Sequence, residues 1–250
     1  MRIAIVMITI DRSASGRENY LASTMQSLKD SGMQRTKVPY DFYIFDGGSE
    51  SIDYISALRS DIFPITIYVP IGHKLSPNMN AGRALLIGSQ VQADWVLFLE
   101  DDIEVCKDFL DGVAWWLNHF ADTRHRLFTF YTCYHEVEQQ HKGSGVGSWE
   151  YPVDKFYGTQ CMALRPREAQ SIGEYLVGLS YPTSSYDIEI QNWTKAFPNL
   201  MQEGSECFLA SVPCFVQHIG EQSVLFNDPK RFHQCTSYQG KDWSLFKGMK

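Results

Sequence analysis

Residues 96 to 102 read Val-Leu-Phe-Leu-Glu-Asp-Asp, four apolar residues that end abruptly in three adjacent carboxylates. An apolar run of that length, closed by a cluster of charge, fits a strand buried on both faces of an α/β sheet. Ligands of such sheets gather outside the carboxyl ends of their strands, so Glu100, Asp101 and Asp102 fall where a ligand would lie. Neighbouring carboxylates repel unless a cation, a proton or a basic group offsets them, and oxygen ligands select hard cations such as Mg2+ or Mn2+. The other reading is a helix N-terminus. Val105, Phe109, Val113, Trp116 and Phe120 share one face of a helix over 104–120, and acidic residues are stabilising just before such a helix. Capping accounts for one carboxylate better than for three, since only the first turn feels the helix dipole.

The first half of the chain alternates strand and helix. Ile3 to Ile10 reads as a strand, Arg17 to Ser31 as a helix carrying Leu21, Met25 and Leu28 on one face, and Asp41 to Phe45 as a strand that runs into Asp46-Gly47-Gly48-Ser49. A helix through Ile52, Ile55 and Leu58, a strand Ile65 to Val69, a helix Asn78 to Val91 and the strand Trp95 to Leu99 complete a βαβαβαβ series with parallel pairing. The second half is less regular. Leu127 to Cys133, Phe156 to Leu164 and Phe208 to Gln217 read as strands, 142–154 as a mobile Gly- and Ser-rich loop, and helices are expected from Pro166 and over Asp187 to Phe197. With no repeat or low-complexity tract to mark a linker, one α/β domain over 1–250 is expected, its sheet mainly parallel with helices on both faces.

Net charge is −7, which gives no overall pull toward nucleic acid or an anionic membrane. The apolar run Ile3 to Ile10 is too short to span a bilayer and lacks the flank of a cleavage site. Cys106, Cys133, Cys161, Cys207, Cys214 and Cys235 are scattered without a CxxC pair, as expected of reduced thiols in a cytoplasmic protein.

Taken in order, ITIDR (8–12), DGGS (46–49), NMNAGRAL (78–85), LEDD (99–102) and QHIGEQS (217–223) make the chain resemble the GT-A fold family of nucleotide-sugar glycosyltransferases. The pairing of LEDD with QHIG looks most like the N-acetylglucosaminyltransferase IV type and its bacterial and viral relatives. The resemblance implies a single Rossmann-like GT-A domain with a nucleotide-binding half over 1–105, an acceptor and metal half over 106–225, and a flap or tail over 226–250.

The resemblance also implies roles. LEDD stands where the family has its DXD motif, so Asp102 is the expected first ligand of Mn2+ or Mg2+, Asp101 a second, and Glu100 a contact to ribose or to the metal's water shell. His218 in QHIG would complete the metal shell; read without the family it is a hydrogen-bonded histidine at a strand end. Thr9, Asp11, Arg12 and Asp46 occupy positions that hold the base and ribose. For Asp46 the competing reading is turn chemistry, because Asp before Gly-Gly is a good turn former. Asn80 and Arg83, one helical turn apart, would reach phosphate or ribose; on a bare reading Arg83 belongs to a solvated helix face. Gly158 would let backbone approach a sugar, and Trp149 and Tyr151 would stack on a sugar or base or else dock on the core. Asp187 and Glu189 in YDIEIQNW match the family's acceptor-side acid, with Asp187 favoured as the base that deprotonates the acceptor hydroxyl. An Asp at that place is also a good helix cap.

The activity implied is metal-dependent transfer from a nucleotide-diphosphate sugar, a UDP-sugar with inversion. The acceptor would be a glycan, a lipid-linked sugar or a modified nucleic-acid base. Nucleotidylyl transfer uses a similar sheet and metal, but it normally carries a glycine-rich phosphate loop after the first strand, for which ITIDRSASGR is a loose substitute. A silent sugar- or nucleotide-binding module is the non-enzymatic alternative. The triplet begins with Glu where the family has Asp, and the membrane stem and lectin domain of the animal enzymes are not expected here.

Overall fold

The computed structural model describes residues 1–13, 16, 18–56, 58, 64–70, 73–122, 124–133, 146–179, 184–197, 207–220, 234–235 and 237–247. Its main sheet has eight strands: β1 (Ile3–Thr9), β2 (Tyr40–Asp46), β3 (Thr66–Tyr68), β4 (Trp95–Leu99), β6 (Leu127–Thr129), β7 (Gly147–Pro152), β8 (Cys161–Leu164) and β9 (Cys207–Val212), in spatial order β3-β2-β1-β4-β8-β6-β9-β7. A separate two-stranded ladder joins β5 (Ile103–Val105) to β10 (Val216–His218). The continuous apolar sequences of β1 and β4 are explained by their place. Both lie at the centre of the sheet, and every residue of β4 is buried.

The chain runs outward from β1 to β2 and β3, then crosses back to lay β4 against the other side of β1, all in parallel. That reversal of direction opens a crevice between the carboxyl ends of β1 and β4, the place where an open α/β sheet takes its ligand. Register puts Met7 beside Leu99 and Thr9 beside Asp46, so the residues after Thr9 and after Leu99 emerge together. Beyond β4 the sheet turns mixed: β8 runs antiparallel to β4 and β6, and β7 antiparallel to β9, while β6 and β9 are parallel.

Helices cover both faces. One face packs α1 (Leu21–Asp30) and α4 (Phe109–Phe120) through Leu21, Met25, Leu28, Phe109, Val113 and Trp116. The other packs α3 (Pro77–Gln90), α5 (Pro166–Gly178) and α6 (Tyr186–Ala196) through Leu85, Ile172, Leu176, Ile190 and Trp193. A short helix, α2, spans Asp53–Ser56. α3 and α5 approach closely because Gly82 and Gly173 face each other: a Cβ on Gly82 would lie 3.0 Å from the Gly173 carbonyl oxygen, and one on Gly173 would lie 2.9 Å from that of Gly82.

Several sequence expectations change. The helix expected from 104 starts at Phe109, since Ile103 and Val105 alternate about Glu104 and form β5. The acidic triplet therefore does not cap that helix. Phe208 to Gln217 is two strands, broken at Pro213, which has no N–H for a ladder. Of the expected loop 142–154, residues 142–145 lie outside the described residues and Gly147–Pro152 is the edge strand β7, with Trp149 packed against the second core; the Tyr151 side chain lies outside the description. Within the expected flap or tail, the described residues from 234 onward are docked: Cys235 and Leu245 are buried in the first core, and Ser244 Oγ donates to Asp108 Oδ2 at 2.6 Å. Among the described residues no helix is long and apolar enough to cross a membrane, and Cys106, Cys133, Cys161, Cys214 and Cys235 are free thiols.

Candidate active site

A cavity of about 560 Å³ opens at the crevice between β1 and β4. Its floor is the acidic triplet, and each carboxylate has a different environment. Asp101 is clamped: Thr9 Oγ1 donates to its Oδ2 at 2.6 Å, and the Arg12 guanidinium takes both oxygens, at 2.7 Å to Oδ1 and 3.1 Å to Oδ2. Such a two-pronged, charge-assisted contact is the strongest hydrogen-bonded pairing available to a carboxylate. Burial works against the Arg12 charge, but Asp101 and Asp102 more than offset it and raise its pKa above the ordinary value.

Asp102 is held differently. Its Oδ2 lies 3.3 Å from His218 Nε2 and 3.6 Å from an Arg12 nitrogen, whereas its Oδ1 is buried without a hydrogen-bond partner among the described residues. Burial would raise its pKa, yet the His218 hydrogen bond and charge, with Arg12, bring it below the usual range. Glu100 reaches the other way. Thr159 Oγ1 donates to its Oε1 at 2.7 Å and Tyr186 bonds to it from α6, while burial and the Asp102 charge push its carboxyl up to about 7.

His218 arrives through the small ladder, where it pairs with Ile103, and Ile219 N donates to the Asp102 carbonyl at 2.9 Å. Gly220 then passes directly over the pair: a Cβ there would lie 2.6 Å from Asp102 Oδ2 and 3.0 Å from His218 Nε2. Nothing in the sequence around Gly220 signals this, because the approach is tertiary.

Do these residues suit a divalent cation? A buried carboxylate oxygen with no donor, next to an imidazole nitrogen, is a two-ligand start for Mg2+ or Mn2+, whose remaining positions are usually filled by substrate phosphate and water. Asp101 does not extend the set, since both its oxygens are taken by Arg12 and Thr9. In keeping with this, no cluster of three or more His, Cys, Asp or Glu among the described residues is arranged to hold a metal by itself.

The other expected residues divide sharply. Thr9, Arg12, Asn80 and Asp187 line the cavity with the triplet and His218. Asn80 lines it with its Nδ2 already donated to the Phe45 carbonyl. Asp46 is a turn residue: its oxygens accept from the backbone N–H of Gly48 and Ser49, from Ser49 Oγ and from Tyr54 OH. Asp11 points back to Asn19 and the Ser13 N–H, which lower its pKa, and does not line the cavity. Arg83 is also not among the lining residues. Gly158 is required by the protein itself, because a Cβ there would lie 2.8 Å from both Thr129 Oγ1 and the Tyr131 carbonyl oxygen. Glu189 is buried, with Ser184, Tyr175 and Asn192 all bonded to it, and is not among the residues that line the cavity. Asp187 stands two residues before it, in the first turn of α6; the N-cap is Ser185, whose hydroxyl bonds to Asp187.

Lys74 also lines the cavity, and no motif or spacing in the sequence singles it out. Tyr157 lines the cavity and is 47% exposed. Lys74 comes from the segment before α3, which periodicity does not describe.

No protein-family model matches the chain, and no curated protein matches it in sequence. Solved structures do. S. aureus TarS 1-349 superposes with a TM-score of 0.50 at 13% identity, covering 86% of this chain and 58% of that one. The glycosyltransferase GlyE of Streptococcus pneumoniae TIGR4, in its apo form, gives 0.44 at 13% identity, over 80% of this chain and 44% of that chain. A galactosyltransferase, LgtC, in complex with donor and acceptor sugar analogs gives 0.42 at 15%, over 81% and 68%. The chain thus spans a little over half the length of TarS 1-349. The likeness at this level fixes the fold, the GT-A arrangement of an α/β sheet with helices on both faces.

Proposed function

We propose that this protein is a metal-dependent glycosyltransferase that moves a sugar from a nucleotide-diphosphate donor to an acceptor hydroxyl. The observation that carries the reading is the Asp102–His218 pair, with one buried carboxylate oxygen unmet, at the switch point of the sheet and in one cavity with Asp187. Asp102 and His218 would hold Mn2+ or Mg2+. Bound there, the cation would act as a Lewis acid toward the negative charge that develops on a departing diphosphate.

The protein's own groups supply the rest. Ile8, Ile10, Leu75 and Pro77 give the cavity apolar walls at the ends of β1 and β2, suited to a base and ribose. Arg12, fixed by Asp101, places a positive charge beside Asp102 that cannot swing away. Asp187 is the base: it accepts the proton of the acceptor hydroxyl as that oxygen attacks the anomeric carbon, and attack opposite the leaving group inverts the configuration. Tyr157 offers a ring face to an acceptor sugar. The resemblance to the N-acetylglucosaminyltransferase IV type favours a UDP-sugar donor; a glycan, a lipid-linked sugar or a modified nucleic-acid base would serve as acceptor, in the cytoplasm.

Titration with a panel of nucleotide-diphosphate sugars in Mn2+, Mg2+ or EDTA, read by thermal shift and by nucleotide-diphosphate release, tests the proposal. Metal-dependent stabilisation by one donor with slow donor hydrolysis is the expected result. No response to any donor with either metal overturns it.

A further inference from the structure

Glu100, Asp101, Asp102 and Asp187 line the cavity, with Arg12, Lys74 and His218 as the basic side chains among the described residues. Arg12 is committed to Asp101 on two hydrogen bonds. Lys74 makes no hydrogen bond or ion pair with any described residue. An ordinary surface lysine also lacks partners, so position decides its meaning.

The backbone of Lys74 is pinned. Gly48 has φ +90, and a Cβ there would lie 2.4 Å from the His73 carbonyl oxygen and 2.7 Å from Lys74 Cα, so residues 73 and 74 lie flat against the end of β2. Leu75 N donates to the Gly47 carbonyl at 2.8 Å, and Ser76 caps α3 by accepting from Met79 N at 3.2 Å. A lysine on a stem held at both sides, beside the apolar walls Leu75 and Pro77, has a limited sweep, and that sweep covers the cavity.

Building on the donor reading above, we infer that Lys74 is the protein's phosphate hook, the residue that takes an oxygen of the nucleotide diphosphate and sets preference for diphosphate over nucleoside. A phosphate is favoured over an acid carried on the transferred sugar because Lys74 is pinned to Gly47 and Gly48 at the carboxyl end of β2, beside the walls assigned to base and ribose. An ammonium there is a compact point charge suited to phosphate oxygens.

The test is calorimetric binding of uridine, UMP, UDP and, in parallel, GDP, ADP and dTDP, to wild type, Lys74→Ala and Lys74→Arg in Mn2+. Lys74→Ala should weaken the preferred diphosphate about tenfold or more, the loss of one charge-assisted contact, leave its nucleoside unchanged, and be largely rescued by Lys74→Arg. Unchanged diphosphate affinity in Lys74→Ala overturns the inference while leaving the transferase reading intact. Equal weakening of nucleoside and diphosphate also overturns it, by placing Lys74 on the base. Failure of wild type to bind any of these nucleotides defeats the parent reading and this one together.

Discussion

His218 Nε2 lies 3.3 Å from Asp102 Oδ2, although Asp102 sits in the bend between β4 and β5 and His218 ends β10, far later in the chain. The contact is held from both sides, by the pairing of His218 with Ile103 and by the Ile219 N–H on the Asp102 carbonyl. A histidine and a carboxylate are thereby kept close, with the second carboxylate oxygen unmet among the described residues.

Asp102→Asn and His218→Ala should each abolish the added thermal stability that Mn2+ and donor confer together, and lower donor hydrolysis on the order of a hundredfold or more. Melting curves with and without EDTA check this. Retention of the metal effect in Asp102→Asn would remove Asp102 from the site.

Asp187 and Glu189 should separate by kind of effect. Asp187→Asn is expected to lower turnover roughly 10²- to 10⁴-fold with donor affinity unchanged, as for loss of a general base. Glu189→Gln should instead lower stability, because three side chains bond to a buried carboxylate there. Parallel steady-state kinetics and urea unfolding distinguish the two.

Gly220→Ala should impair the site with little effect on the fold. The new methyl group, 2.6 Å from Asp102 Oδ2, must push the carboxylate aside. Metal-dependent donor binding should fall severalfold or more while the melting temperature of the metal-free protein changes little. Gly178→Ala is the control: nothing lies within 4 Å of its Cβ position, so donor binding should be unaltered.

Asp122 gives a pH signature away from the cavity. Some burial would raise its pKa, but bonds from Arg124 and His125 hold it down to about 2, against an ordinary value of 3.8. A depressed carboxyl contributes stability that is present above 3.8 and is lost as pH falls toward 2. Asp122→Asn should therefore be less stable at neutral pH and show a shallower fall across that acid window, measured by urea midpoints from pH 5 to pH 2. Its side chain is 37% exposed, so the difference will be modest.

The central sheet was legible because burial on both faces writes itself as continuous apolar sequence: Ile3 to Thr9 and Val96 to Leu99 could hardly be anything else. Residues 103–105 were absorbed into the following helix because three residues of alternation are too few to break a helical pattern, and the φ of 55 at Asp108 leaves no trace in residue type. Within the site, Asp102 stood out through charge repulsion at a strand end. His218 did not, for no spacing rule links it to Asp102, and only the family resemblance brought it in.

Asp46 was ambiguous for a physical reason, since the same carboxylate serves a base or a Gly-Gly turn, and the turn took it. Asp187 and Glu189 are two apart on a helix, which turns about 100° per residue, so both cannot face the same cavity. Lys74 and Gly220 matter through the backbone they adjoin, which no residue pattern encodes.

The small ladder between β5 and β10 has a temporal consequence. A growing chain can assemble β1, β2 and β4, and so present the acidic triplet, long before residue 218 has been made. Until that late strand docks beside Ile103, the carboxylates have no imidazole and the crevice no roof from Gly220. A partly synthesised or C-terminally nicked chain would keep much of its sheet yet be silent, which makes competence at the site a record that the chain has folded to its far end.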